Sequence, residues 1–148
     1  MILPRDIELE IEEGERYLDD DQMDLARAKF RLALSLLGRM VNHARMAGKV
    51  GGPLAGVTLA EIVDALMGGV DHPLLNVILG GALGYAGGSK AAEVFDAAMA
   101  PLWLRVYQGM GDVEHRTGND AEARKYYGMA LRFMPDDPVI MARMAAVT

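Results

Sequence analysis

The stretch that decides the fold lies near the end of the chain, where residues 107–135 read YQGMGDVEHRTGNDAEARKYYGMALRFMP. Small and apolar side chains recur there every three or four residues, which is the spacing of one face of a helix. The run TGND at residues 117–120 interrupts this pattern and is typical of a turn. Pro101 suits the first turn of a helix, and Pro135 ends the second one. We therefore predict a helical hairpin over residues 101–135.

The beginning of the chain has the same plan. Apolar residues from Ile7 to Leu18 share one helical face, and three aspartates at residues 19–21 favour a turn. The helix that follows carries Phe30 in the pattern Ala-x3-aromatic-x2-Ala, which Tyr127 repeats in the last hairpin. We therefore predict another hairpin over residues 5–38.

Both hairpins resemble the tetratricopeptide repeat family, whose period is about 34 residues. The match is clear at residues 7–38 and 101–135. It rests on small and aromatic residues at the family's spacing, namely Gly14, Tyr17, Ala26, Phe30, Ala33, Tyr107, Gly111, Gly118, Ala123, Tyr127, Ala130 and Pro135. The resemblance implies an all-α, right-handed solenoid, in which small residues bring two helices together and an aromatic side chain fills the wedge to the next hairpin.

The middle of the chain allows two interpretations. The Ala-x3-aromatic-x2-Ala spacing recurs with first positions at 26, 91 and 123, and a weaker version begins at 59 with Leu59, Val63 and Leu66. Gly38, Gly68-Gly69 and Pro101 fit helix stops between these sets. This predicts one domain over residues 1–148, with four hairpins at 5–38, 39–70, 72–100 and 101–135 and a capping helix at 138–146. The alternative is two true repeats that flank a glycine-rich helical insertion.

Composition and motifs exclude several classes of function. The 148 residues include 15 Lys and Arg against 21 Asp and Glu, so a chain of net charge −6 does not favour nucleic acid. There is no Cys, and the chain has no metal-ligand spacing, phosphate loop or nucleophile elbow. We therefore expect no enzyme, cofactor or metal site. Because the first residues lack the pattern of a signal peptide, we expect a cytoplasmic protein without membrane contact.

Charged residues on the first helix of each hairpin form the candidate site, because the resemblance implies that these helices line a concave groove. Four carboxylates of the first helix fall at i, i+4, i+7 and i+11 and share one face. With the matching positions of the last hairpin, the candidates are Glu8, Glu12, Glu15 and Asp19 at one end and Arg105, Gln108, Asp112 and Arg116 at the other. The same acidic face also fits a solvated helix surface. Glu15 and Asp112 stand where the family's clamp for C-terminal carboxylates has Asn, so we do not expect that type of ligand.

The sequence thus predicts a non-enzymatic adaptor or chaperone-like module. It would hold a partner's peptide or helix in the groove, with basic residues of the partner at the acidic end. The alternative is a structural protein that forms homo-oligomers through the central hairpins, where Gly80, Gly84 and Gly88 have the spacing of close helix packing.

Overall fold

The computed structural model describes residues 4–49 and 89–148. They form five helices: α1 Pro4–Asp19, α2 Met23–Lys49, α3 Ser89–Arg116, α4 Asp120–Phe133 and α5 Pro138–Ala146. The described ranges contain no strand, which confirms the all-α prediction for them. The predicted hairpin 39–70, the first part of the hairpin 72–100 and the stop at Gly68-Gly69 lie largely outside the described residues.

Contacts divide the chain into two units. One consists of Asp6–Leu37 and Ala100–Thr148, and we call it the repeat unit because it contains both recognisable hairpins. The other consists of Met1–Arg5 and Gly38–Met99. In its described part, the second unit is helical and buries side chains at Met40, Val41 and Met99.

The predicted helix stops at Gly38 and Pro101 are wrong. Helix α2 continues for 27 residues through Gly38, and α3 continues for 28 residues through Pro101. A helix interior loses about 1 kcal/mol at a Gly and about 3 kcal/mol at a Pro, and packing of the helix routinely overrides such local propensities. Pro101 itself is exposed, whereas Met99 and Leu102 beside it are buried. The predicted hairpin boundaries at 38/39 and 100/101 therefore do not coincide with helix ends.

Phe30 shows how the two hairpins of the repeat unit pack. Its side chain is fully buried. A Cβ atom placed on Gly14 of α1 would lie 3.0 Å from the Phe30 ring, and one on Gly109 of α3 would lie 2.3 Å from it. The ring therefore fills the space between α1 and α3, and the last hairpin packs directly on the first. An array with two further hairpins stacked between them is wrong, and the interpretation with an insertion agrees with these contacts.

Tyr127 has the corresponding place in the last hairpin. A Cβ atom on Gly111 would lie 2.4 Å from the Tyr127 ring, so α3 and α4 also approach closely. Tyr127 belongs to one buried cluster with Ile140 of α5. Helix α5 therefore packs on the last hairpin. The side chain of Asp137 caps α5 by accepting a hydrogen bond from the Ile140 amide at 2.9 Å. Helix α5 coincides with the predicted residues 138–146.

Candidate functional site

The acidic residues of α1 divide into two groups. Glu10 and Glu13 point toward α2, where the ammonium of Lys29 lies 2.8 Å and 2.5 Å from their carboxylates. Glu15 instead pairs with α3, because Arg105 donates to it from Nε at 3.0 Å and from Nη2 at 2.7 Å. This bidentate geometry is the most specific form of an arginine–carboxylate pair.

The contact between Glu15 and Arg105 corrects one sequence-based expectation. Glu8, Glu12, Glu15 and Asp19 were expected at one end of a groove, and Arg105, Gln108, Asp112 and Arg116 at the other. The structure instead brings Arg105 of the second set beside Glu15 of the first, since Phe30 seats α3 directly beside α1. The expectation failed because it assumed that two further hairpins separate the first from the last.

The carboxylates of this surface stabilise a positive charge placed among them. The hydrogen bonds with Glu15 raise the pKa of Arg105, and the charges of Glu15, Glu12 and Glu8 act in the same direction. Within the described ranges, Glu8 and Glu12 form no ion pair, and Glu12 is exposed while Glu8 is half-buried. We call Glu8, Glu12, Glu15 and Arg105 the acidic face. Its three carboxylates and one guanidinium carry a net charge of −2.

Two helical turns beyond Arg105 on α3, Asp112 accepts a hydrogen bond from the Tyr127 hydroxyl at 2.6 Å and forms an ion pair with Arg143 of α5. With its amide oxygen turned toward α5, Gln108 accepts from the same guanidinium at 3.1 Å and 3.2 Å. The two predicted residues Gln108 and Asp112 thus hold α5 in place. Sequence reasoning missed Arg143, although it is the only charged residue of α5, which could have indicated a specific partner.

Of the remaining two predicted residues, Asp19 ends α1, and Arg116 ends α3 and reaches the end of α1. Arg116 donates from Nη1 to the Leu18 carbonyl oxygen at 2.7 Å. This carbonyl oxygen also accepts from the Asp21 amide at 3.2 Å, and a cation at the C-terminal end of a helix interacts favourably with the helix dipole. Asp19 is exposed beside it. Arg116 therefore stabilises the end of α1 and leaves the acidic face to the residues nearer the start of that helix.

A small cleft opens beside this network. Its volume is about 230 Å³, and it is lined by Asp112, His115, Arg116, Tyr127, Arg143 and Ala146. At its rim, His115 Nδ1 lies 2.6 Å from the carboxylate of Asp120. Clefts that enclose a drug-sized ligand or cofactor are generally larger, about 300–1,000 Å³. The cleft has room for one side chain of a partner.

A buried ion pair fixes the hairpins on the other side of the unit. Glu114, only 7% exposed, accepts from Arg27 Nε of α2 at 2.8 Å and from Asn119 Nδ2 at 3.2 Å. It ties α2 to α3, the helix that carries Arg105 of the acidic face, and to Asn119 of the turn that follows. No sequence pattern singled out this pair, because its two members are 87 residues apart.

Other sequence-based expectations concern metals, membranes and self-association. The described residues contain no group of three or more His, Asp or Glu that could hold a metal ion. Among the helices that the structure describes, none has the length and apolar content needed to cross a membrane. The predicted self-association residues Gly80, Gly84 and Gly88 lie outside the described residues.

Comparison of this chain with protein-family models, with curated proteins and with solved structures finds no match. The resemblance to tetratricopeptide repeats therefore rests on the residues of the two hairpins alone.

Proposed function

We propose that this chain is a non-enzymatic protein-binding module that holds a basic segment of a partner protein on its acidic face. The observation that carries the proposal is the Glu15–Arg105 pair, since it aligns α1 with α3 and leaves Glu8 and Glu12 without an ion pair in the described ranges. A partner lysine or arginine at Glu8 and Glu12 would complete the charge balance of this surface. The adaptor or chaperone-like role expected from the sequence is compatible with such binding.

The support for this face is pre-organised. Phe30 is wedged between α1 and α3, and the Arg27–Glu114 pair fixes α2 against the following turn. A rigid surface loses little conformational entropy when it binds, so the partner segment would carry most of the ordering cost. Complementary charges would set the orientation and the association rate, whereas apolar contacts would supply most of the affinity.

Selection from a displayed library of random peptides tests the proposal, and it does so without requiring an identified partner. We expect the enriched peptides to contain clustered Lys or Arg and to bind more slowly as salt is raised, because salt screens exposed charges. The variant Glu8→Lys/Glu12→Lys should abolish this binding. Glu15 is not a suitable target, since its replacement would also release Arg105.

The matched control is Asp20→Lys/Asp136→Lys, which makes the same change in net charge at two exposed positions away from the face. It should bind the selected peptides as tightly as the parent chain. Enriched peptides without basic residues, or equal binding by the Glu8→Lys/Glu12→Lys variant, would contradict the proposal.

A further inference from the structure

The small cleft between α3, α4 and α5 is a positive site in an acidic chain. Two guanidinium groups, those of Arg116 and Arg143, and one carboxylate, that of Asp112, line it. Together they carry a net charge of +1, whereas the whole chain carries −6. At the rim, the imidazole of His115 faces the carboxylate of Asp120, and solvent screens that exposed pair. The charges that line the cleft therefore favour an anionic group.

The hydrogen-bonding groups of the cleft favour an anion as well. The carboxylate of Asp112 is already occupied, because one oxygen accepts from the Tyr127 hydroxyl and the other pairs with Arg143. By contrast, Arg116 uses only Nη1, which donates to the Leu18 carbonyl oxygen at 2.7 Å. Within the part of the chain that the structure describes, no carboxylate pairs with Arg116. Its Nε and Nη2 groups can therefore donate to an incoming acceptor.

Two pKa shifts indicate that these positive charges act inside the cleft. Burial and the charge of Asp120 raise the pKa of the Tyr127 hydroxyl, and the charge of Arg116 acts against both. Burial lowers the pKa of Arg143, because a guanidinium that is partly removed from water loses part of its hydration. An anion in the cleft would stabilise both guanidinium groups.

The cleft lies on the same side of α3 as the acidic face. Arg105, Asp112 and Arg116 fall at i, i+7 and i+11, which is one face of a helix. A rise of about 1.5 Å per residue places Arg116 about 16 Å beyond Arg105 along α3. An extended peptide rises about 3.3 Å per residue, so about five residues span that distance. One partner segment can therefore reach both places.

We propose that the cleft binds an acidic side chain, Asp or Glu, of the same partner segment whose basic residues lie on the acidic face. This binding rests on the proposed function, because both places hold one segment. The cleft volume of about 230 Å³ accommodates one side chain. The planar guanidinium of Arg116 suits a carboxylate, since it can donate two parallel hydrogen bonds. Because the two places attract opposite charges, they fix the direction in which the segment binds.

The displayed library of random peptides provides the probe for this site. Each peptide is fused to its carrier at the C-terminus, so that every carboxylate comes from a side chain. We expect the enriched peptides to carry Asp or Glu about five residues from their basic cluster. The tightest-binding peptide is then synthesised with an amidated C-terminus, once with its acid and once with the corresponding amide side chain. The amide should bind the parent chain about fivefold or more weakly, because it loses a charge-assisted contact.

The variant Arg116→Gln distinguishes binding from a purely structural role at the end of α1. It should bind the acidic peptide and its amide equally, whereas a structural role would weaken both peptides alike and keep the fivefold preference. The matched control is Arg132→Gln, which makes the same change in charge at an exposed position of α4 outside the cleft. This control should keep the preference of the parent chain for the acidic peptide.

The outcomes separate this site from the proposed function. Basic peptides without an acid at this spacing, or an unchanged preference in Arg116→Gln, would overturn the cleft as a binding site and leave the basic segment on the acidic face. Enriched peptides without basic residues would contradict the proposed function, and the cleft site would fall with it.

Discussion

The variant Gly109→Ala probes the contact between the two hairpins. A Cβ atom at this position would lie 2.3–2.7 Å from three atoms of the Phe30 ring. The ring has little room to retreat, because even a Cβ atom built on Gly14, on the α1 side, would lie only 3.0 Å from it. Overpacking of a filled core costs about 1–3 kcal/mol, and this geometry belongs at the upper end of that range. Alanine recovers about 1 kcal/mol through its higher helix propensity. We therefore predict a net loss of about 2 kcal/mol.

Thermal unfolding followed by circular dichroism measures this loss. For a chain of this size, about 2 kcal/mol corresponds to a decrease in Tm of about 4–8 °C. The matched control is Gly128→Ala, at a helical position where the nearest atom, Cε of Met144, would lie at an ordinary 3.6 Å. Because no clash arises there, only the higher helix propensity of alanine acts, and the free energy of unfolding of this control should rise by about 1 kcal/mol.

The two substitutions should therefore change Tm in opposite directions. Combining Gly109→Ala with Phe30→Leu should cost less than the sum of the two single changes, because the smaller side chain relieves the clash. If Gly109→Ala instead stabilises the chain as much as Gly128→Ala does, Phe30 does not lie against α3. The alignment of the acidic face would then lack its structural basis.

Three further predictions concern single contacts within the repeat unit. Arg27→Ala should lower the free energy of unfolding by about 1–3 kcal/mol in urea, because it leaves the buried carboxylate of Glu114 without its cation; no change would mean that this ion pair does not form in solution. Tyr127→Phe should cost about 1 kcal/mol in the same assay, since it removes one hydrogen bond without changing the ring; an unchanged stability would contradict the contact to α3. Lys29 lowers the pKa of Glu13 through a hydrogen bond and its charge, so the pair stabilises the fold at neutral pH and this contribution is lost as the pH falls through the lowered pKa. Glu13→Gln should therefore make Tm less sensitive to acid than in the parent chain, and an unchanged acid profile would show that the pair is absent.

The two hairpins could be predicted from the sequence because the residues that pack each hairpin recur at a regular spacing along the chain. Gly14 with Phe30, and Gly111 with Tyr127, are pairs of small and aromatic residues that lie within one hairpin, so their periodicity is visible along the chain. The fold class and the turns follow from that periodicity. The same rules misplaced the helix stops at Gly38 and Pro101, where packing outweighs local propensity.

The arrangement of the site could be predicted only in part. The helices that carry the acidic residues were correctly identified, but the neighbour of Glu15 depends on which hairpin follows the first in space. The weak repeats in the middle of the chain suggested the wrong neighbour. Arg105 and Glu15 are 90 residues apart in the chain, and no local pattern links them. The role of Arg143 was likewise hidden, because it depends on how α5 docks against α3.

Nuclear Overhauser contacts of the Phe30 ring test the direct packing of the two hairpins most closely. The chain has only three Phe, so selective labelling of their rings would give an assignable spectrum. The structure predicts cross-peaks from the Phe30 ring protons to the α protons of both Gly14 and Gly109. If two further hairpins separated α1 from α3, Gly109 would lie beyond reach, since each packed helix layer adds about 8–10 Å. Cross-peaks to Gly14 alone would contradict the direct packing of α3 on α1.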